Sequence, residues 1–457
     1  MASITSLGSG SGLELESILK QLQTAEETRL TQITSRQTSY QTRISAYSKV
    51  QSAVEAVQKA AASLGDTATL GAVKNSVSGD GLTVKTAAGA VPGNYKIAIT
   101  SLASAQTLKS GAVEDRAAQL DAGGSIQITL AGGDTATIEL GSDTSLNGVA
   151  KAINGSDEAG VRATIITDGN GDSYLMLTSK ATGEKASVQS IASDNAAVQA
   201  VIGYQHGSAS AMTEQQAAKN AEITINGIAI ESQSNTINEA IDGVTLELTA
   251  TTAADEFVTV SVTSDPSVLS KAVKSFVDAY NALQTTIANL TAFDVKAETQ
   301  SALTGDGTTR GIQSSMAAAL RVVGNEGTLR TLSQLGIATN PTTGKLELDQ
   351  TKLDKALADN PADAARLFGG TGGLAERMKT ATEGILGDQG SIKARTEGLQ
   401  ETVDRLQDQY DRTKVSIDAT MKNYRTQFSR LDALVAQMNS TSAYLTQQFD
   451  ALSGNNK

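Results

Sequence analysis

From residue 392 onward, apolar residues recur in heptad steps. Ile392, Leu399, Val403, Leu406, Tyr410, Ile417, Met421, Tyr424, Phe428, Leu431, Val435, Met438, Leu445, Phe449 and Leu452 keep one register almost to the end of the chain. At 1.5 Å per residue this run is a helical rod roughly 90 Å long, and an apolar stripe of that length cannot face water throughout. The rod needs a partner. Leu15, Leu19 and Leu22, then Leu30, Ile33, Tyr40, Ile44, Tyr47, Val50, Val54, Val57, Ala61 and Leu64, put a second stripe on a helix at the other end of the chain. The chain runs out along the first helix and returns along the last, so the economical solution is an antiparallel pair of terminal helices. A third helix is expected to join them. Asp265-Pro266 supplies its cap and first position, and Leu269, Val273, Phe276, Tyr280, Leu283, Ile287 and Leu290 follow at helical spacing.

The outermost segments, 1–40 and 415–457, are rich in Gln, Thr, Ser, Arg and Asp beside the stripe, and they are expected to fray in the isolated chain. Two readings stay open here. The stripes either close on each other as an intramolecular coiled coil or become ordered only against neighbouring molecules.

Between about 76 and 264 the apolar period falls from near 3.6 to 2. Tyr95, Ile97 and Ile99, then Ile126, Ile128 and Leu130, alternate with polar residues; Ile223 and Ile225 are joined to Ile228 and Ile230 through Asn226-Gly227, a hairpin signal. Val244, Leu246, Leu248 and Val258, Val260, Val262 continue the alternation. A short helix is predicted at 145–154. A mixed region follows at 300–390, where Asn360-Pro361 with Asp363 reads as a helix start and Asn340-Pro341 with Thr343-Gly344 as a turn. The fold class is therefore α+β multidomain, with long antiparallel terminal helices and β-rich domains inserted between them. The expected division is a leg at 1–41, a helical domain of 42–75 plus 265–414, an inner β domain of 76–107 plus 206–264, an outer β domain of 108–205, and a second leg at 415–457.

A chain of 457 residues is expected to hold about three domains. Its composition removes many functions. Lys+Arg 37 against Asp+Glu 49 leaves a net charge of −12, which argues against nucleic acid or an anionic membrane surface as the main partner. There is no Cys, and the single His, His206, cannot form a two-His metal site within the chain. Phe 6, Tyr 9 and Trp 0 leave few rings for sugar, nucleobase or flavin pockets, so no cofactor is expected. The N-terminal residues have neither a basic nor an apolar signal region, and no stretch reaches the roughly 20 apolar residues of a membrane span.

The motifs that could carry chemistry fail on inspection. Asp168-Gly-Asn170-Gly-Asp172 opens like a calcium loop, but the sixth position is Ser173 and the twelfth Ser179, so a plain turn is expected. Gly8, Gly10 and Gly12 follow no strand and read as a tether rather than a phosphate loop. Gly344-Lys345 is followed by Leu346 and preceded by Thr339 where a P-loop needs glycine. His206 reads as an exposed loop residue. No catalytic residue, and hence no enzyme, is expected.

The ordered set of short motifs resembles the flagellar filament cap family, hook-associated protein 2. Gly10-Ser11-Gly12-Leu13 with Leu15-Glu16 is similar to the family's N-terminal signature, with Glu14 where Asp is commoner; Gly93-Asn94-Tyr95-Lys96-Ile97, leading to Leu102-Ala103 and Gln106, is similar to its first β segment. Segments 125–190 and 223–249, the latter with Ile225-Asn226-Gly227 and Ile241-Asp242-Gly243-Val244, resemble the repeat in the inserted domains of flagellin-type proteins. Leu303-Thr-Gly305-Asp306, Leu335-Gly336-Ile337, Gly344-Lys345-Leu346 with Asp349, Leu367-Phe368, Gln427-Phe428, Leu431-Asp432, Met438-Asn439 and Tyr444-Leu445 complete the set.

The resemblance implies a protein exported unfolded without a cleaved signal, which then forms a homo-oligomeric ring, most often a pentamer, at the filament tip. Implied partners are itself, flagellin, the junction proteins, the flagellar export apparatus and a cytoplasmic export chaperone, with no nucleic acid and no membrane insertion. An adhesive role is also implied as an option within the family. The helical stripe, with Leu15, Leu19, Leu22, Tyr424, Phe428, Leu431, Leu445 and Phe449, is the implied partner-contact surface. A hook-filament junction protein or a flagellin-like subunit is the alternative, and an extracellular β-domain hydrolase a more distant one.

Overall fold

The structure is a computed structural model that describes residues 7–9, 11–121, 123–297 and 299–454, with side chains described up to residue 451. Residues 1–6, Gly10 of the expected signature, and the side chain of Leu452 lie outside the described residues. Two compact units divide the chain, one of residues 1–65 with 270–457 and one of residues 66–269. The helices are α1 (Leu15–Gly65), α2 (Thr67–Leu70), α3 (Leu146–Gly155), α4 (Ala196–Ile202), α5 (Pro266–Thr291), α6 (Gly307–Ala319), α7 (Gln350–Asp359), α8 (Pro361–Gly369), α9 (Leu374–Leu386) and α10 (Ser391–Gly454). The fold is α+β and multidomain, as the two apolar periods require.

The helical unit is organised on α1 and α10. Neither contains a proline, and α10 has only Gly398 in its interior. This composition explains why both continue through the segments expected to fray: over the described residues, 15–40 and 415–454 are unbroken helix. Tyr47, Val50, Val54, Val57, Ala61 and Leu64 of α1 are fully buried, and Ile392, Leu399, Val403, Leu406 and Ile417 along α10 are buried as well. The short helix that runs most closely beside α1 is α9, not the expected α5. Val273, Phe276, Tyr280, Leu283 and Ile287 of α5 are buried, and its polar side chains bond to α6 through Gln284 and Gln313, to α7 through Ser270 and Asp354, and to the Ile337–Thr339/Leu346–Leu348 hairpin. There Asn281 donates from Nδ2 to the Leu346 carbonyl (2.8 Å) and accepts at Oδ1 from the Leu346 N–H (2.7 Å). Spacing finds a helix but not its neighbour.

Local signals are obeyed with one exception. Asp265 Oδ1 accepts from the Ser267 N–H (3.1 Å) at the start of α5, and Asn340 Oδ1 accepts from the Thr342 and Thr343 N–H groups (3.0 Å each) in the hairpin turn. Asn360 precedes α8, but its side chain makes no capping bond. Asp363 lies in the first turn of α8 as expected, and its carboxylate accepts from the Thr328 N–H (2.6 Å) and Leu329 N–H (3.1 Å), besides pairing with Arg366. Those two backbone bonds hold its carboxyl below the ordinary range.

The β unit has two cores. One lies between a five-stranded antiparallel sheet, in the order Val73–Ser78, Val258–Ser264, Gly93–Ser101, Ala221–Ile225, Ile228–Ser232, and a three-stranded one, Thr236–Ile241, Val244–Leu248, Leu82–Thr86. The hairpin turn at Asn226-Gly227 has positive φ at both residues (50° and 86°), the conformation a two-residue turn of this hand needs. The second core joins two four-stranded sheets with α3 and α4 around Ile126, Ile128, Leu146, Ile153, Leu175 and Leu177. Ser145 caps α3, and Asn195 caps α4 with bonds from Ala197 and Val198.

Two amides stitch the segments of this unit together. Gln106, almost wholly buried, donates to Glu214 Oε1 (2.6 Å) and accepts from the Val188 N–H (2.7 Å). Gln233 accepts from Lys185 N–H at Oε1 (2.8 Å) and from the Thr182 hydroxyl at its carbonyl (2.8 Å). Gly183 between them has φ +91°, and a Cβ there would lie 2.5 Å from Gln233 Oε1, so both the turn and the close approach require glycine.

One polar node binds the helical unit across three distant segments. The hydroxyl of Tyr47 on α1 donates to Asp306 Oδ1 (2.5 Å), and Asp306 caps α6 by accepting from the Thr309 N–H (2.9 Å) and hydroxyl (3.1 Å). Arg395 of α10 reaches Asp306 Oδ2 at 3.4 Å. Burial by itself would raise the Asp306 pKa, but the bonds from Tyr47 and Thr309 and the Arg395 charge outweigh it and hold the carboxyl low. Burial, and next the bond to Asp306, push the Tyr47 phenol up.

Tyr47→Phe should cost about 1.5–3 kcal/mol, the range for a hydrogen bond to a charged group, and lower the denaturant midpoint of the helical unit. A folded-state carboxyl pKa below the unfolded value of about 3.9 gives stability that is complete above that value and lost as pH falls through the folded one. Asp306→Asn should therefore destabilise at pH 7, with the gap to the parent closing in acid. A pH-independent gap would assign the loss to packing.

Candidate functional site: the paired terminal helices

The register of the terminal pair is fixed by three polar contacts along its length. Gln37 donates to Gln407 Oε1 (2.9 Å), Arg425 reaches Glu16 Oε1 (3.3 Å), and the Ser11 N–H donates to Asp432 Oδ1 (2.8 Å). As the residue on α1 or just before it moves from 37 to 16 to 11, its partner on α10 moves from 407 to 425 to 432. The pairing is antiparallel, and the last of these three contacts is at Asp432, where the chain before α1 turns: Gly12 N–H donates to the Gly8 carbonyl (2.9 Å). Gly8 and Gly12, expected as part of a tether, thus close a turn just before the start of α1. The remaining 22 residues of α10, 433–454, continue for about 33 Å beyond the last of these contacts.

The sequence-predicted contact residues sort along this geometry. Leu15 and Leu19 are 3% and 7% exposed, packed within the terminal pair, and Leu22 is half-buried. Tyr424 and Phe428 are half-buried and stack on one another, with ring centroids 6.4 Å apart and planes 19° apart. Leu431, Leu445 and Phe449 are 41%, 48% and 66% exposed. The structure thus places the first five in or beside the pairing, and Leu431, Leu445 and Phe449 as exposed residues from its last polar contact onward along α10. Leu434, Met438 and Tyr444, also exposed, extend that surface; Leu434 stands three residues after Leu431 and four before Met438, so the same period places it beside the stripe.

The other candidate motifs are structural. Asp168 Oδ1 accepts from the N–H groups of Asn170 (2.9 Å) and Asp172 (3.0 Å), closing the turn of the Val161–Thr167/Ser173–Ser179 hairpin. His206 is exposed in a turn, its Nδ1 3.4 Å from the Tyr204 hydroxyl. Among the described residues, no group of three or more His, Cys, Asp or Glu is placed to hold a metal ion, and no helix is long and apolar enough to cross a membrane.

The pattern of paired ends around inserted β segments is matched by known proteins. Residues 11–106 match the flagellar hook-associated protein 2 N-terminus, residues 218–440 its C-terminus, and residues 125–181 the flagellin hook IN motif. The flagellar hook-associated protein 2 of Escherichia coli (strain K12) is 38% identical, over 98% of this chain and 99% of its own. The chain belongs to the flagellar hook-associated protein 2 family. The relative from Salmonella typhimurium is 33% identical over 99% of both chains. The crystal structure of the flagellar cap protein FliD D1-D2-D3 domains from Escherichia coli superposes with a TM-score of 0.71 at 34% identity, covering 78% of this chain and 99% of that one. Membership of the hook-associated protein 2 family favours the cap resemblance over the junction-protein, flagellin and hydrolase alternatives.

If the α1–α10 pairing is held at its open end by Leu15 and Leu19, replacing both with Asp places unpaired charges in that seam. Leu15→Asp/Leu19→Asp should speed tryptic cleavage at Lys20 and Arg29 while the unfolding midpoint of the β unit stays unchanged. Unaltered cleavage would show that the polar contacts alone hold the register.

Proposed function

We propose that this chain caps the tip of the growing flagellar filament as a homo-oligomeric ring, retaining exported flagellin and promoting its insertion into the lattice. The observation that carries the reading is the apolar stripe of α10, which runs past the end of its partner helix through Leu431, Met438 and Leu445. A long surface helix with exposed large apolar residues at heptad spacing is a docking element. Family membership supplies the setting, since the solved relative is a flagellar cap protein.

On this reading the segments 1–41 and 415–457 act as legs, with Leu15, Leu19 and Leu22 holding the leg together and Tyr424, Phe428, Leu431, Leu445 and Phe449 carrying its partner face. Segments 42–75 with 265–414, 76–107 with 206–264, and 108–205 act as the helical, inner β and outer β parts of the ring, most often five-fold. The export apparatus, a cytoplasmic export chaperone and the junction proteins are partners at earlier stages of assembly. Folding outside the cell and an absence of covalent chemistry suit a chain with no Cys and a filament tip supplied with subunits one at a time.

Burial of Met438 and Leu445 against a partner contributes about 1.5–3 kcal/mol each, and an Asp in either place would bury an unpaired charge. Met438→Asp/Leu445→Asp should fold with an unchanged midpoint yet fail to hold filament tips, seen as loss of end-bound particles in negative-stain images of short filaments mixed with flagellin. Secretion of the variant, checked separately, keeps a failed cap distinct from a failed export. Normal end-binding would remove the stripe from the docking surface.

Deleting 1–40 and 416–457 should leave concentration-dependent oligomers in sedimentation, because the ring contacts are assigned to the rest of the chain. A monomer at all concentrations would move those contacts into the legs.

A further inference from the structure

Four asparagines in this chain stand immediately before a glycine: Asn147, Asn154, Asn170 and Asn226. With no Cβ on the following residue, its backbone nitrogen can be turned onto the asparagine side chain, and two groups held within reach react without an encounter between molecules. The fold sorts the four. Asn147 lies in the first turn of α3, and Gly148 behind it is buried against the Asp143 carbonyl, where a Cβ would lie 1.9 Å away. Asn154 is gripped at both atoms of its amide, Nδ2 donating to the Ala163 carbonyl and Oδ1 accepting from the Ala163 N–H (2.8 Å each). Asn226 sits in the two-residue hairpin turn, where its Oδ1 accepts from the Lys96 N–H and its own N–H donates to the Lys96 carbonyl (2.9 Å each).

Asn170 is held differently. It is exposed at the tip of the Val161–Thr167/Ser173–Ser179 hairpin, between Gly169 and Gly171, and a Cβ on either glycine would meet nothing within 4 Å. Among the described residues its side-chain amide has no hydrogen-bond partner, and the bond on the Gly171 nitrogen, to the Asp168 carbonyl, is long at 3.3 Å. We propose that Asn170 is a self-modifying site, whose substrate is its own amide and whose co-reactant is water. The Gly171 nitrogen forms a bond to Asn170 Cγ and gives up its proton; the Cγ–Nδ2 bond breaks and Nδ2 leaves as ammonia, closing a five-membered cyclic imide. Water then opens the ring. Addition at Cγ leaves an aspartyl residue at position 170, and addition at the backbone carbonyl carbon leaves an isoaspartyl one, with the main chain one carbon longer. Either product places a third carboxylate between Asp168 and Asp172. The longer chain is absorbed at the tip, because Ser173 is pinned by Val113 in both directions (2.9 and 2.8 Å), so the ladder below it stays in register.

The test holds the purified full-length protein in mildly alkaline heavy-oxygen water, then digests it in ordinary water for peptide mapping by mass. Heavy oxygen separates reaction during the hold from reaction during digestion. Asn170 should convert about tenfold faster than Asn147, Asn154 or Asn226, because each of those must first break a hydrogen bond or unpack its turn. Aspartyl and isoaspartyl peptides should both appear with one heavy oxygen, and an acidic form of the intact chain should grow in step on ion exchange. Asn170→Ser should remove that fast-growing acidic form and leave the unfolding midpoint unchanged. In guanidinium chloride the four sites should converge, since all share the following glycine and the fold alone separates them. Conversion of Asn170 no faster than the other three in the native chain would overturn the proposal. So would a lead that persists in guanidinium chloride, because local sequence and not the fold would then select the site.

Discussion

An apolar stripe must be covered, and in this protein the cover is shorter than the stripe. The consequences run through the helical unit. Where α1 lies against α10, Leu15, Leu19 and Ile33 are buried and charges crowd the outer face; where α1 is missing, the same heptad leaves Leu431, Met438 and Leu445 in water. Nothing in the local sequence of α10 changes its helical character at Asp432. What changes is the solvent, so a single continuous helix serves as core at one end and as a surface for others at its tip.

The element types, and the existence of the terminal pair, were legible because periodicity is a property of each segment by itself. Strand alternation at Ile223–Ile230 and the Ser145 cap are of this kind. Packing partners were not legible. Whether α5 or α9 would lie along α1 depends on the shape of the whole unit, and Tyr47 read only as one more stripe residue although its hydroxyl holds Asp306 and, through it, α6 and α10. Asp363 is a further case: it is the first-turn acid its position suggested, but that its carboxylate also holds a loop some thirty-five residues earlier was not legible.

The candidate surface was only partly legible for the same reason. A heptad places Leu15 and Leu445 in one class, and only the length of the partner helix separates a buried seam from an exposed one. The polar contacts that reveal this length, Gln37 with Gln407 and Ser11 with Asp432, join residues 370 and 421 positions apart. No local window contains both partners. The β unit is legible in its hairpins and caps, which are set within a few residues, but not in its sheet order, where Val73–Ser78 pairs with Val258–Ser264 and Leu82–Thr86 with Val244–Leu248.

Joining the first helix to the last also imposes an order in time. Residues 66–269 hold everything their own two cores require, so that unit can mature while the rest of the chain is still absent. The helical unit cannot: its seam waits for residues beyond 391, across a loop whose closure is among the slowest steps available to a chain of this length. The seam therefore acts as a proofreader of length. A chain truncated before Asp432 loses the contact that seats Ser11, and one truncated before Ile417 loses buried core as well, so an incomplete copy cannot present a properly paired tip.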